Sequence, residues 1–279
     1  MDIRMDMHSL GDFLSENDSV VVLSGAGVST ASGIPDYRDR NGEWKQSEPM
    51  HFGEFRSSIV ARRRYWARSF IGWQRFSRAQ PNAAHRALAE FESTGKVGTL
   101  VTQNVDGLHR DAGSRSLIEL HGVLNKVRCC DCHTTIDRDQ YQAALKQANP
   151  GWHAEVFRFK PDGDAVLAEN NYEDFSVPDC PNCGGTVKPD VVMFGEGVPN
   201  ARVQRVLSAI DRANGLLVVG SSLMVFSAFR FARHASARRM PIAIVNQGRT
   251  RADDMATLKI DCDCETVLPA ALRLLSAKG

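Results

Sequence analysis

The stretch Ser19-Val-Val-Val-Leu-Ser-Gly-Ala-Gly-Val-Ser29 joins a short β-branched apolar run to a glycine-rich turn. A run this short, apolar almost throughout and closed by glycines, predicts a buried strand that opens into a loop. Glycine at 25 and 27 lets the backbone come close to a phosphate, and a dinucleotide fold places its pyrophosphate at such a loop. The third glycine of the GxGxxG spacing is absent, because Ala31 and Ser32 precede Gly33. A hydride-transfer fingerprint therefore does not fit, and a plain strand-to-helix turn stands as the alternative.

Runs of the same kind recur at Val97-Gly-Thr-Leu-Val-Thr102, Val191-Val-Met-Phe194, Leu216-Leu-Val-Val219 and Ile242-Ala-Ile-Val-Asn246. Each is nearly continuous in apolar residues, as expected of a parallel sheet covered on both faces. Helical stripes lie between them. Asn82 caps one that carries Leu88 and Phe91, and Asn200 caps another with Val203, Val206, Leu207 and Ile210. A third runs from Glu265 through Leu268, Leu272 and Leu275. Alternating strands and helices predict an α/β chain with a Rossmann-like, doubly wound parallel sheet whose ligands sit at the carboxyl ends of the strands.

Two stretches break the rhythm. Residues 45–80, rich in aromatic and arginine side chains such as Tyr65, Trp66, Arg68 and Trp73, read as a helical insertion. Residues 126–188 carry two CxxC pairs separated by polar sequence and read as a small zinc-binding module. Residues 1–44, 81–125 and 189–279 are left to form the Rossmann-like domain.

Composition narrows the function. A chain of 279 residues can bury a sizeable core. With 34 basic and 33 acidic side chains, a net charge of +1 gives no general attraction for nucleic acid or an anionic membrane. No apolar run is long enough to span a bilayer, and the polar opening segment has no signal-peptide pattern, so a cytoplasmic location is expected. The seven cysteines cluster at 129, 130 and 132, at 180 and 183, and at 262 and 264. In a reducing compartment, paired CxxC elements point to metal rather than disulfides. Cys129, Cys132, Cys180 and Cys183 suffice for a closed tetrahedral zinc site. A register using Cys130 in place of Cys129 is open on spacing alone.

Further polar motifs stand at predicted strand ends. Gly33-Ile-Pro-Asp-Tyr-Arg38 extends the first loop, Thr102-Gln-Asn-Val-Asp-Gly-Leu-His109 follows a strand, and Leu120-His-Gly122 precedes the cysteine module. Together with GAGVS, the two CxxC pairs, Val191-Val-Met-Phe-Gly-Glu196, Gly220-Ser-Ser-Leu223 and Val245-Asn246, they resemble the sirtuins, NAD-dependent protein lysine deacylases. The resemblance spans about residues 18–275. Arg64-Tyr-Trp-Ala-Arg-Ser-Phe70, Pro161-Asp-Gly-Asp164 and Arg251-Ala-Asp-Asp254 are most similar to the class II branch that includes the fourth mammalian sirtuin.

The resemblance implies roles for particular residues. Gly25, Ala26 and Gly27 would hold the NAD diphosphate, with Asp36, Tyr37 and Arg38 in a mobile cofactor loop. Gln103, Asn104 and Asp106 would line the nicotinamide-ribose pocket. Gly220, Ser221, Ser222, Asn246, Gln247 and Gly248 would meet the remaining phosphate and the adenosine ribose, and Cys264 would lie against the adenine. His121 would be the catalytic base, since imidazole is neutral near pH 7 yet accepts a proton. An acyl-lysine peptide would lie extended along Val192, Phe194, Gly195 and Glu196. Tyr65 and Arg68, one helical turn apart, are where that branch would grip an acidic acyl chain, and a solvated basic helix face is the alternative. The expected cofactors are NAD and one structural zinc, and the expected partner is an acylated protein or peptide. Alternatives are a mono-ADP-ribosyltransferase using the same pocket, a deacylase for longer or acidic acyl groups, and a zinc-ribbon module binding nucleic acid.

Overall fold

The computed structural model describes residues 3–168 and 172–276. In chain order, α1 (Ile3–Glu16) leads into β1 (Val20–Ser24), and two 3-10 turns, Ala26–Val28 and Thr30–Ser32, follow the strand in place of an α-helix. Next come α2 (Phe52–Ser57), α3 (Ile59–Phe76), α4 (Ala83–Ser93), β2 (Val97–Thr102), α5 (Leu108–Asp111) and β3 (Leu117–Glu119). A polar middle section holds β4 (Gly122–Cys129), β5 (Thr135–Asp137), α6 (Arg138–Ala148), β6 (Val156–Phe159), β7 (Ala165–Leu167) and β8 (Val187–Val191). The chain then returns through α7 (Asn200–Asp211), β9 (Gly215–Val219), α8 (Phe226–Ala237), β10 (Ile242–Val245), β11 (Leu258–Ile260) and α9 (Cys264–Ser276).

Six strands form one parallel sheet in the order β11-β10-β9-β1-β2-β3. Strand alternation sends Val20 and Val22 to one face, where they pack with Leu14 of α1, Leu88 and Phe91 of α4 and Leu268 of α9. Val21 and Leu23 face the other side and meet Val206 and Ile210 of α7 and Phe231 of α8. The sheet is thus doubly wound, and the order reverses at β1, which is flanked by β2 and β9 and opens into the glycine loop.

The run at 191–194 is not a strand of this sheet. Its first residue ends β8, which pairs antiparallel with β4 beside β5, and Phe194 makes only an isolated bridge to His51. Polar Lys188 and Asp190 within β8 hide the strand from an apolar-run reading. Helix α3 packs on this smaller sheet, placing Tyr65, Trp66 and Phe70 in one core with Val127, Tyr141, Leu145 and Phe175. Trp66 Nε1 donates to the Val187 carbonyl at 3.2 Å, and Trp73 Nε1 donates to Asp139 at 2.7 Å. The aromatic residues of the insertion are therefore spent largely on packing.

Candidate active site

The loops after β1 and β9 press together at backbone contact. Gly25 N donates to the Val219 carbonyl at 3.0 Å and Gly27 N to the Gly220 carbonyl at 2.8 Å. A Cβ on Gly27 would stand 2.9 Å from Gly220 Cα, and Gly220 itself has φ +58°. A side chain at either position would force the backbones apart. Beside this junction Ser221 Oγ accepts from Gln103 Nε2 at 2.8 Å and from Leu223 N at 3.2 Å, which leaves its own proton for another acceptor.

The loop after β2 reaches the same place. Asn104 Nδ2 donates to the Gly25 carbonyl at 3.1 Å and to Ser29 Oγ at 3.0 Å, and Ser29 Oγ donates to Asp106 Oδ2 at 2.7 Å. Burial pushes the Asp106 carboxyl above its ordinary range, against the lowering effect of hydrogen bonds from Leu108 N and Ser29. Beneath this network lie two fully buried imidazoles, His85 and His109, with ring centroids 4.7 Å apart. His85 Nε2 is 3.5 Å from Ser29 Oγ, and His109 Nε2 is 2.8 Å from Ser24 Oγ. Burial lowers His85 to about 4 and His109 well below its usual value, the neighbouring ring adding to the effect on His109.

His121 occupies the turn between β3 and β4. Leu120 N donates to the Thr102 carbonyl at 2.8 Å, and Val192 N donates to the His121 carbonyl at 2.7 Å, so both sheets fix the residue's backbone. Gly122, with φ +83°, lets the chain turn directly against the Asp190 carbonyl, where a Cβ would collide. The His121 ring has Nδ1 3.0 Å from the Gln103 carbonyl and Nε2 2.9 Å from Ser227 Oγ. A carbonyl only accepts, so Nδ1 carries the proton and Nε2 presents its lone pair to the hydroxyl of Ser227. Burial, with the Arg202 cation adding to it and the Gln103 carbonyl opposing it, lowers His121 to about 4. The ring is neutral near pH 7.

These pieces share one cavity of about 350 Å³. The 36–45 loop closes over it: Arg38 lies 3.9 Å from the Trp44 ring centre and donates to the Gly42 carbonyl, and Trp44 packs edge-on against Phe194. At the far end of β4, Cys129 joins Cys132, Cys180 and Cys183, and the four sulfurs lie within 4.8 Å of one another. Sulfurs bound at about 2.3 Å to one tetrahedral zinc would stand roughly 3.8 Å apart. The Cys129–Cys183 and Cys132–Cys180 separations are 3.5 and 3.7 Å, so the four residues can hold a metal ion. Cys130 is not part of this cluster.

A family model, Sir2 family, matches residues 25–227. This chain belongs to the Sir2 family. A Xanthomonas axonopodis pv. citri (strain 306) protein named NAD-dependent protein deacetylase is 52% identical over 263 residues, covering 94% of the Sir2-family chain described here and 90% of that protein. The Drosophila melanogaster NAD-dependent protein deacylase Sirt4 is 44% identical over 99% of this chain and 90% of its own length. Among solved structures, a Sir2–p53 peptide–NAD+ complex superposes with a TM-score of 0.74 at 30% identity, covering 98% of both chains.

Nearly all the residues singled out from the sequence converge in this Sir2-family cavity. Its lining includes the 25–27 loop, Asp36, Tyr37, Arg38, Gln103, Asn104, Asp106, His121, the 192–196 segment, the 220–222 loop, Asn246, Gln247 and Tyr65. Gly248, Cys264 and Arg68 do not line it. Gly248 N donates to Asp261, and the buried Cys264 sulfur packs 3.7 Å from the Val245 carbonyl. Arg68 Nε donates to the Ala165 carbonyl at 3.0 Å and lies 3.9 Å from the buried Asp164 carboxylate, which draws the guanidinium away from the cavity. Among the lining residues that the sequence did not single out as site residues are Ser29, Asp162 and Ser227. Ser29 and Asp162 lie inside quoted motifs, whereas Ser227 carries no local signal.

Proposed function

We propose that this Sir2-family chain is an NAD-dependent protein lysine deacylase, moving an acyl group from lysine to ADP-ribose with release of nicotinamide and formation of O-acyl-ADP-ribose. The observation that carries this reading is the neutral His121 ring, which lines the same cavity as the glycine loops and the 192–196 segment, its Nε2 against the Ser227 hydroxyl. The names of the relatives from Xanthomonas and Drosophila support NAD as the cofactor and lysine deacylation as the reaction.

The residues present suit NAD. The Gly27–Gly220 contact leaves bare backbone where a phosphate would rest, and Ser221 has a hydroxyl proton to give. Gln103, Asn104 and Asp106 would hold the nicotinamide-ribose end, and Ser222, Asn246 and Gln247 the adenosine end. When bound, NAD supplies an electrophilic C1′ and a nicotinamide leaving group. His121 accepts a proton at Nε2, and the Gln103 carbonyl compensates the resulting imidazolium through Nδ1–H. The 36–45 loop, pinned by Trp44 on Phe194, covers one side of the cavity. Val192 and Gly195 are read as the edge along which an extended acyl-lysine peptide is paired.

We also read the four-cysteine cluster as a structural zinc site. The acyl group favoured by the wall is neutral, because Tyr65 and Asp162 line it while Arg68 is held by Asp164. Among the described residues no helix is long and apolar enough to cross a membrane. His121→Ala tests the reading: NAD binding by calorimetry should stay within about threefold while deacylation falls at least about 100-fold. Full turnover in that variant would overturn the assignment.

A further inference from the structure

Ser227 sits in the first turn of α8, partly exposed to the main cavity, and its hydroxyl is 2.9 Å from the Nε2 atom that must accept a proton. No other protein hydroxyl is hydrogen-bonded to the His121 ring among the described residues. We propose that Ser227 is a positioning residue that holds His121 Nε2 toward the cavity and then takes the captured proton from it. This inference rests on the deacylase reading.

The hydroxyl serves both states of the ring. Toward the neutral imidazole it donates, as the tautomer requires; after Nε2 is protonated, rotation about the Cβ–Oγ bond lets the same oxygen accept. The second bond is charge-assisted and is the stronger of the two, so Ser227 favours the imidazolium. It offsets what opposes that cation here: burial, the Arg202 charge and the positive end of α8, whose Val225 cap has no side-chain acceptor. In the transfer, the Nε2–H bond breaks as a new Oγ–H bond forms, and the hydroxyl proton that Ser227 carried leaves to water in the cleft. Proton number is conserved, and the imidazole returns to its starting tautomer.

Two measurements on intact enzyme test this, comparing wild type, Ser227→Ala and Ser227→Thr. In the cofactor-free protein, nitrogen NMR titration of the His121 ring should show Ser227→Ala lowering the ring's pKa below the wild-type value, with Ser227→Thr matching wild type. In single-turnover deacylation of an acetyl-lysine peptide, the Ala variant should be slower by about tenfold and the Thr variant nearly unchanged. The rate in mixed H2O and D2O should bend with deuterium fraction in wild type, as for two moving protons, and be linear in the Ala variant. An unshifted pKa in Ser227→Ala, or a linear wild-type plot, overturns the proposal. Absence of any turnover in the wild type, with the NMR shift present, would instead sink the deacylase reading alone.

Discussion

Lowering the pH should weaken this fold through its buried histidines His85, His109 and His121, and the share of His85 can be isolated. In the folded chain His85 is fully buried and lowered to about 4, whereas an unfolded histidine titrates near 6.5. Between those values the unfolded state binds the extra proton, so stability is complete above about pH 6.5 and drains away as the pH falls toward 4. At about 1.4 kcal/mol per pH unit, His85 alone removes about 2 kcal/mol by pH 5 and about 3 kcal/mol by pH 4. That is a large share of the roughly 5–15 kcal/mol typical of a folded domain. Buried carboxyls act the other way: Asp106, Glu119, Asp162 and Asp164 are all raised, and the fold gains from their protonation. Comparison with His85→Gln cancels those contributions. Urea unfolding at pH 7 and pH 5 should show wild type losing about 2 kcal/mol more than the variant. Parallel losses in the two proteins would refute the claim that the ring is held neutral by burial.

Other outcomes follow from the same geometry. Cys180→Ser should reduce bound zinc from one per chain to near none by elemental analysis and lower the Tm by at least about 10 °C, since a metal held by the four thiolates would tie β4 and the 180–183 turn together. A variant that keeps its zinc and its Tm would remove the structural-metal reading. Arg68→Ala should lower the Tm by several degrees by stripping buried Asp164 of its partner, with Asp164→Asn added to it restoring part of the loss. Its ratio of acetyl- to succinyl-lysine turnover should equal that of wild type, and a selective loss on the succinyl peptide would place Arg68 in the acyl pocket after all.

How far the sequence could be read depended on where each element finds its partners. Strands β1, β2, β9 and β10 are apolar along most of their length because helices cover both faces, and that covering shows in the residues themselves. The edge strands β3 and β11 are three residues long and include Glu119 and Lys259, so nothing local separates them from loop. Strand β8, with Lys188, Pro189 and Asp190, is specified by antiparallel pairing to β4 rather than by its own pattern. The site behaves alike. Glycine loops and amides at strand ends are legible because the chemistry sits on the turn that carries it, whereas Ser227 reaches His121 only across 106 residues of chain. Arg68 shows the converse: spacing put it beside Tyr65, and a buried aspartate from the β6–β7 turn claimed it.

The most direct measurement is product identification. Incubated with NAD and an acetyl-lysine peptide, the chain should yield, by mass spectrometry, free lysine peptide, nicotinamide and O-acetyl-ADP-ribose in equal amounts, and none of them without NAD. An unmodified peptide accompanied by a protein carrying the added mass of ADP-ribose would contradict the deacylase account.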